Sequence, residues 1–171
     1  EEIVELGFEH IELSHGMTIA KLPGIQKAWE RGLFKCCGIH NFFPSPVEVM
    51  IDAPDAFEFT SHRPNDRARA MEMTLRSLEM CERFEAGYLV LHMGSVPMKT
   101  KKWTNALTAM VAEGKQRDKA FLKRKRAFVE KREKIASLYY RRAIEALEQL
   151  VERAGELGVK LAVESRSRYE D

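Results

Sequence analysis

The sequence predicts an α/β protein, a parallel sheet with helices packed outside it. Two observations carry this. Short apolar runs alternate along the chain with longer segments of helical spacing. The clearest run, Tyr88–Met93, is apolar at nearly every position, as strands covered on both faces are. Right-handed crossovers are expected between such strands. Composition and periodicity leave an open sheet and a closed barrel equally open.

Taken in order, Glu1–Leu6 reads as the end of a helix stopped at Gly7. His10–Ser14 reads as a strand, with Ile11 and Leu13 on one face and Glu12 on the other. Ile19–Arg31 is a weak helix that Pro23-Gly24 should interrupt. Lys35–Asn41 is a second strand, ended by Pro44 and Pro46, which cannot donate to a ladder. Residues 47–63 form a long connection through Pro54. A helix then starts at Pro64-Asn65-Asp66, with Asn65 as cap and Asp66 complementing the dipole. Met71, Leu75, Leu78 and Phe84 give its apolar stripe, and Gly87 ends it. After Tyr88–Met93 comes a long connection, 95–158. Its last part is helical, with Leu138 and then Ile144, Leu147, Val151, Ala154 and Leu157, the last five at spacings of three, four and seven. Gly158 is a natural stop, and Val159–Glu164 is the last strand.

The 171 residues favour one domain or a large piece of one. No run of about eighteen apolar residues exists, so a membrane span is not expected. The first residues resemble no targeting signal, and the absence of an initiator Met suggests that the gene product begins earlier. Three cysteines, Cys36, Cys37 and Cys81, without CxxC spacing, favour a reduced, cytoplasmic setting. Cys36 and Cys37 point to opposite faces of a strand and read as small hydrophobes. Net charge is +2 but uneven. Residues 1–98 hold 9 basic and 15 acidic side chains (net −6), and residues 99–171 hold 19 and 11 (net +8). Lys115–Lys134, with 10 basic and 3 acidic residues, reads as a solvated helix face rather than a nucleic-acid footprint.

The chemistry is in the polar residues that close apolar runs. Gly38-Ile39-His40, Val90-Leu91-His92 and Ala162-Val163-Glu164 each end in one ionisable side chain, and Glu12 lies near the end of the first strand. Ligands of parallel α/β sheets bind at the carboxyl ends of the strands. Two imidazoles and a carboxylate from successive strand ends suit zinc or manganese, with a position left for water or substrate. One such histidine is more often an interior or loop residue. Three at equivalent positions make convergence worth testing. His10, His15 and His62 show no such pattern.

The blocks Gly38-Ile39-His40-Asn41-Phe42-Phe43-Pro44, Leu89-Val90-Leu91-His92-Met93-Gly94-Ser95 and Leu161-Ala162-Val163-Glu164-Ser165-Arg166 resemble successive strand-end motifs of the xylose isomerase-like TIM barrels. That superfamily includes sugar-phosphate isomerases and epimerases and endonuclease IV. The resemblance implies that residues 1–171 are one partial barrel domain covering about strands two to five. It implies a divalent metal, manganese or zinc first and magnesium or cobalt next, held by His40, His92 and Glu164. Glu164 doubles as a catalytic group, Glu12 falls where many members place a carboxylate, and His40 doubles as a substrate contact. Arg166 and Arg168 could reach an anionic substrate. Ser165-Arg166 departs from the Asn-Thr of endonuclease-type members.

The resemblance therefore implies a metal-dependent sugar or sugar-phosphate isomerase or epimerase in the cytoplasm, with a small sugar as partner and no membrane or nucleic acid. Homo-oligomers are compatible with it. The alternatives are an endonuclease IV-like phosphodiesterase acting on abasic DNA, against which the −6 charge of residues 1–98 counts, and a non-catalytic binding module. Four strands cannot close an eight-stranded barrel. Residues 1–171 alone are accordingly expected to lack sugar turnover, and robust turnover by a monomeric, cooperatively melting preparation would overturn this.

Overall fold

The computed structural model describes residues 2–49 and 56–165. Strands β1 (His10–Leu13), β2 (Lys35–His40), β3 (Tyr88–Leu91) and β4 (Lys160–Val163) form one sheet in chain order, every neighbouring pair parallel. The helices are α1 (Glu2–Glu5), α2 (Leu22–Glu30), α3 (Pro64–Arg83), α4 (Lys101–Ala112) and α5 (Lys119–Glu156). Pro54, Arg166 and Arg168 lie outside the described residues.

The sheet is two-faced because strand side chains alternate. Leu13, Ile39, Leu89 and Leu91 are at most 2% exposed and share one core with Leu78, Cys81 and Phe84 of the α3 region and Leu150 of α5. Each such aliphatic side chain contributes about 1.5–3 kcal/mol by leaving water. The other face carries Gly38 and His40 on β2, and Tyr88 and Val90 on β3. The β1–β2 register shifts between Ile11 and Glu12, which pair with Cys36 and Gly38 and leave Cys37 as the extra residue of a bulge. Cys36 therefore stays in the core, while Cys37 is half-buried with its sulfur 3.8 Å from the Tyr88 hydroxyl. Burial pushes the thiols of Cys36 and Cys81 up to about 11 and about 12, which keeps both protonated.

Several local readings are corrected. The stretch 19–31 divides just before Pro23: a 3-10 turn spans Ile19–Lys21, and α2 begins at Leu22 with Pro23 in its first turn, where a missing N–H costs nothing. In α3 the cap position is Arg63, with no side-chain cap bond, and Asn65 sits inside the first turn behind Pro64. Ser61 ties down this helix start, its hydroxyl accepting from the Arg63 N–H and donating to Asp66. The buried face of α3 is Ala70, Met73, Thr74, Ser77, Leu78 and Cys81, with Met71 and Leu75 on its flank. Thr74 and Ser77 face inward because they meet the Asn41 side chain and the Phe43 backbone after β2. The α3 helix ends before Gly87, at Arg83, with Glu85 rather than a glycine taking the positive φ of 54°. The connection 95–158 holds two helices, and α5 runs 38 residues. From residue 136 onward its buried positions are Ala136, Tyr139, Ala146, Leu150 and Ala154; the expected stripe residues Ile144 and Val151 are 53% and 55% exposed. Alanines allow close approach to the sheet, which rotates the contact face away from the larger aliphatics. Within Lys115–Lys134 only Phe121 and Phe128 are buried, as the charge density there predicts.

Gly38 is required by packing. A Cβ there would lie 2.2 Å from Cε2 of Tyr88, whose hydroxyl donates to Glu12 at 2.8 Å. Gly38→Ala is expected to lower stability by about 1–3 kcal/mol, read as a reduced urea midpoint. Adding Tyr88→Leu should recover part of the loss, and an unchanged Gly38→Ala midpoint would contradict this packing.

Candidate functional site

His40 is the last residue of β2, and His92 and Glu164 each follow the last residue of β3 and β4. The backbone ladder carries on past the strand ends: the Asn41 N–H donates to Val90 O at 3.0 Å, and the Glu164 N–H to Leu91 O at 2.9 Å. The three side chains thus arrive at the same end of the sheet, and their donor atoms lie within 4.8 Å of one another. Nε2 of His40 is 3.2 Å and Nε2 of His92 is 3.6 Å from the same Glu164 oxygen, Oε2. The imidazoles meet edge to face, with centroids 4.9 Å apart. Both are nearly buried, at 11% and 10% side-chain exposure, while Glu164 is 54% exposed. The contact with His40, followed by the charge interaction with His92, holds the Glu164 carboxyl below its ordinary range.

Nδ1 of His40 lies 3.2 Å from the carbonyl oxygen of Asn41. In a neutral ring that contact takes the single proton, leaving a lone pair on Nε2 facing the carboxylate. Two acceptors at that distance need positive charge between or beside them, supplied by a second proton or by a cation. A backbone carbonyl behind one imidazole nitrogen is also the usual support of a histidine ligand. The donor set, two imidazoles and a half-exposed carboxylate, fits a divalent metal with coordination positions left over.

Support comes from residues that sequence reasoning passed over. His15 packs against His40 with ring centroids 4.8 Å apart, and its Nδ1 lies 3.2 Å from the Ser14 hydroxyl. Behind His40, Asn41 is buried, donating to Thr74 at 2.8 Å and accepting from Ser77 at 2.8 Å. Behind His92, the Ser95 N–H donates to the Thr60 hydroxyl at 3.0 Å, that hydroxyl donates to Ser95 O at 2.9 Å, and the Ser95 hydroxyl donates to Glu58. Gly94 sits at φ 109°, and a Cβ there would be 2.3 Å from Thr60 Oγ1. Apart from Thr74 and Ser77 on α3, these groups lie in loops without periodicity; only the pattern of glycine and hydroxyls after His92 could have pointed to them. Glu12 is not part of the trio, its carboxylate instead accepting from Tyr88. Arg166 is outside the described residues.

The family model described as xylose isomerase-like TIM barrel matches residues 1–170. The chain belongs to this family. Among solved structures, a D-tagatose 3-epimerase-like protein superposes with a TM-score of 0.61 at 14% identity, over 98% of this chain and 48% of that one. That likeness is one of fold, and the chain spans about half the length of the structure it matches. A search of curated proteins finds no match. In this xylose isomerase-like barrel segment the strands β1 to β4 follow one another as adjacent parallel staves, consistent with part of the TIM barrel.

Glu164 gives the site a pH signature. Its folded-state pKa is depressed, so its contribution to stability is present above the unfolded carboxylate range and lost as pH falls through the folded value. In chelator, the urea-midpoint difference between wild type and Glu164→Gln should persist at neutral pH and vanish on acidification through the carboxylate range. A difference independent of pH would contradict the pairing.

Proposed function

We propose that the protein is a metal-dependent isomerase or epimerase of sugars or sugar phosphates. The observation that carries this reading is the meeting of His40, His92 and Glu164 at the carboxyl ends of three parallel strands, where barrels of this kind do their chemistry. His40 and His92 would hold the metal through Nε2, with Glu164 as third ligand or as base. Manganese or zinc suits this mixed nitrogen and oxygen set, ahead of magnesium or cobalt. When bound, the ion supplies Lewis acidity toward a substrate carbonyl and its neighbouring hydroxyl.

The chain's own residues account for the remainder. Glu164 is open to solvent on one side and held ionised by the histidines, so a carboxylate oxygen is available to take a proton from a carbon next to a carbonyl. Loss of that proton and its return to the neighbouring carbon, with the hydroxyl proton passing to the former carbonyl oxygen, interconverts aldose and ketose; return of a proton to the opposite face of the same carbon epimerises it. His40, braced by Asn41 and His15, would act through Nε2 alone, as a ligand or in its place as a substrate contact, because Nδ1 is engaged by the Asn41 carbonyl. Glu12, anchored by Tyr88, would act from the same sheet face as a second carboxylate. Arg166 would bind an anionic group of the substrate.

The experiment is metal analysis and a turnover panel of sugars and sugar phosphates with the complete gene product. His40→Ala and His92→Ala are each expected to weaken zinc or manganese binding by about 100-fold or more. Metal should be released on acidification as protons take the imidazoles. Glu164→Gln should cost about 10²- to 10⁴-fold in turnover. Nicking of abasic DNA without sugar turnover would replace this reading with the phosphodiesterase one.

A further inference from the structure

The α4 helix and the first half of α5 form a hairpin outside the sheet, closed by the turn 113–118. Between them is a cavity of about 560 Å³ lined by Lys102, Trp103, Ala120, Lys123, Arg124 and Ala127. The four α5 residues fall at i, i+3, i+4 and i+7, hence on one face. Two alanines keep the floor low, the half-buried Trp103 indole forms a wall, and the three cations form the rim. The indole packs on Phe128, with centroids 5.9 Å apart and the rings tilted by 32°, and Nζ of Lys131 lies 6.0 Å from the ring centre.

A charged helix face normally satisfies itself with acids three or four residues away. Here that does not happen. The positions three and four removed from Lys123 are Lys119, Ala120, Arg126 and Ala127; those from Arg124 are Ala120, Phe121, Ala127 and Phe128. Among the described residues neither cation, nor Lys102, has an ion-pair partner, whereas Lys115, Arg76 and Arg153 do. Any ligand of the cavity must therefore bring the negative charge, and the apolar floor and indole call for a flat, apolar part as well.

We propose that this cavity binds a nucleoside di- or triphosphate, with the base against Trp103 and the phosphates among Lys102, Lys123 and Arg124. The volume lies in the range of small-molecule sites. Aromatic faces accept any base, and lysine and arginine suit phosphate. One aromatic wall matches one base, whereas a nucleic-acid strand uses successive stacking platforms. The site is built from helices outside the sheet and stands independently of the chemistry proposed for His40, His92 and Glu164.

The test is titration of the protein with ATP, AMP, inorganic tripolyphosphate and an eight-residue oligothymidylate, followed by tryptophan emission and calorimetry. ATP should quench saturably, and AMP should bind about tenfold or more weakly. The other tryptophan, Trp29, packs edge-on against Phe84 and supplies a constant background. Lys123→Ala with Arg124→Ala, both exposed positions, should weaken ATP and tripolyphosphate alike by about tenfold or more. Trp103→Leu should abolish the quenching and weaken ATP while leaving tripolyphosphate unchanged. Absence of saturable quenching, or unaltered ATP affinity in the double variant, would overturn the proposal. Oligothymidylate binding far tighter than ATP would also overturn it, by assigning the groove to a strand.

Discussion

Parallel pairing of β2 with β3 and of β3 with β4 sends their carboxyl ends to one side of the sheet, and each of these strands closes on an ionisable residue. An antiparallel partner anywhere in this series would have carried one of the three side chains to the opposite end. The ladder bonds from Asn41 to Val90 and from Glu164 to Leu91 extend the register past the strands, so the spacing at the trio follows from the backbone. Apolar packing on the other face, by Ile39, Leu89 and Leu91 against α3 and α5, supplies the free energy that holds this arrangement.

Precision at the site comes from polar groups that the helices deliver behind the strand ends. The α3 helix presents Thr74 and Ser77 to Asn41, fixing the residue beside His40. Helix α5 does the same at a distance: Arg142 donates to the carbonyls of Thr60 and Ser61, and Thr60 in turn clasps Ser95, three residues after His92. Buried hydroxyls and amides of this kind are costly unless partnered. Their mutual satisfaction explains why the inner face of α3 is hydroxylated where a purely apolar stripe would be the simpler way to fill a core.

The charge asymmetry of the chain has a structural counterpart. The acidic stretch 1–98 contains β1 to β3 and the two histidines of the trio, while the basic excess lies on the α4–α5 hairpin outside the sheet. Beside it, Ala136 and Tyr139 of α5 pack with Val96 in a small cluster apart from the main core. Further along, α5 enters the main core through Ala146, Leu150 and Ala154, so the cationic face lies at the end of the helix away from the sheet.

The fold class and the trio were legible because their signals are local. An apolar run such as Tyr88–Met93 can be satisfied only by burial on both faces, and a single ionisable residue at its end must emerge where the sheet does. The blocks around His40, His92 and Glu164 carried the family for the same reason. Other features depended on what each segment packs against. Periodicity fits α5 with Ile144 and Val151 as well as with Ala146 and Leu150; proximity to the sheet selected the alanine-containing face. Asn65 and Pro64 are both good helix-start residues, and the chain's approach from Ser61 decided between them. Glu12 reads as a site carboxylate by its place on the strand, and only the tertiary structure supplies its hydrogen-bond partner, Tyr88, two strands away. The sequence by itself determined that a run such as Tyr88–Leu91 must be covered and which strand ends must be polar, since those follow from each residue's own chemistry. Only the tertiary structure decided which polar groups meet, because a hydrogen bond between residues 33 or 76 positions apart depends on how the whole chain has packed.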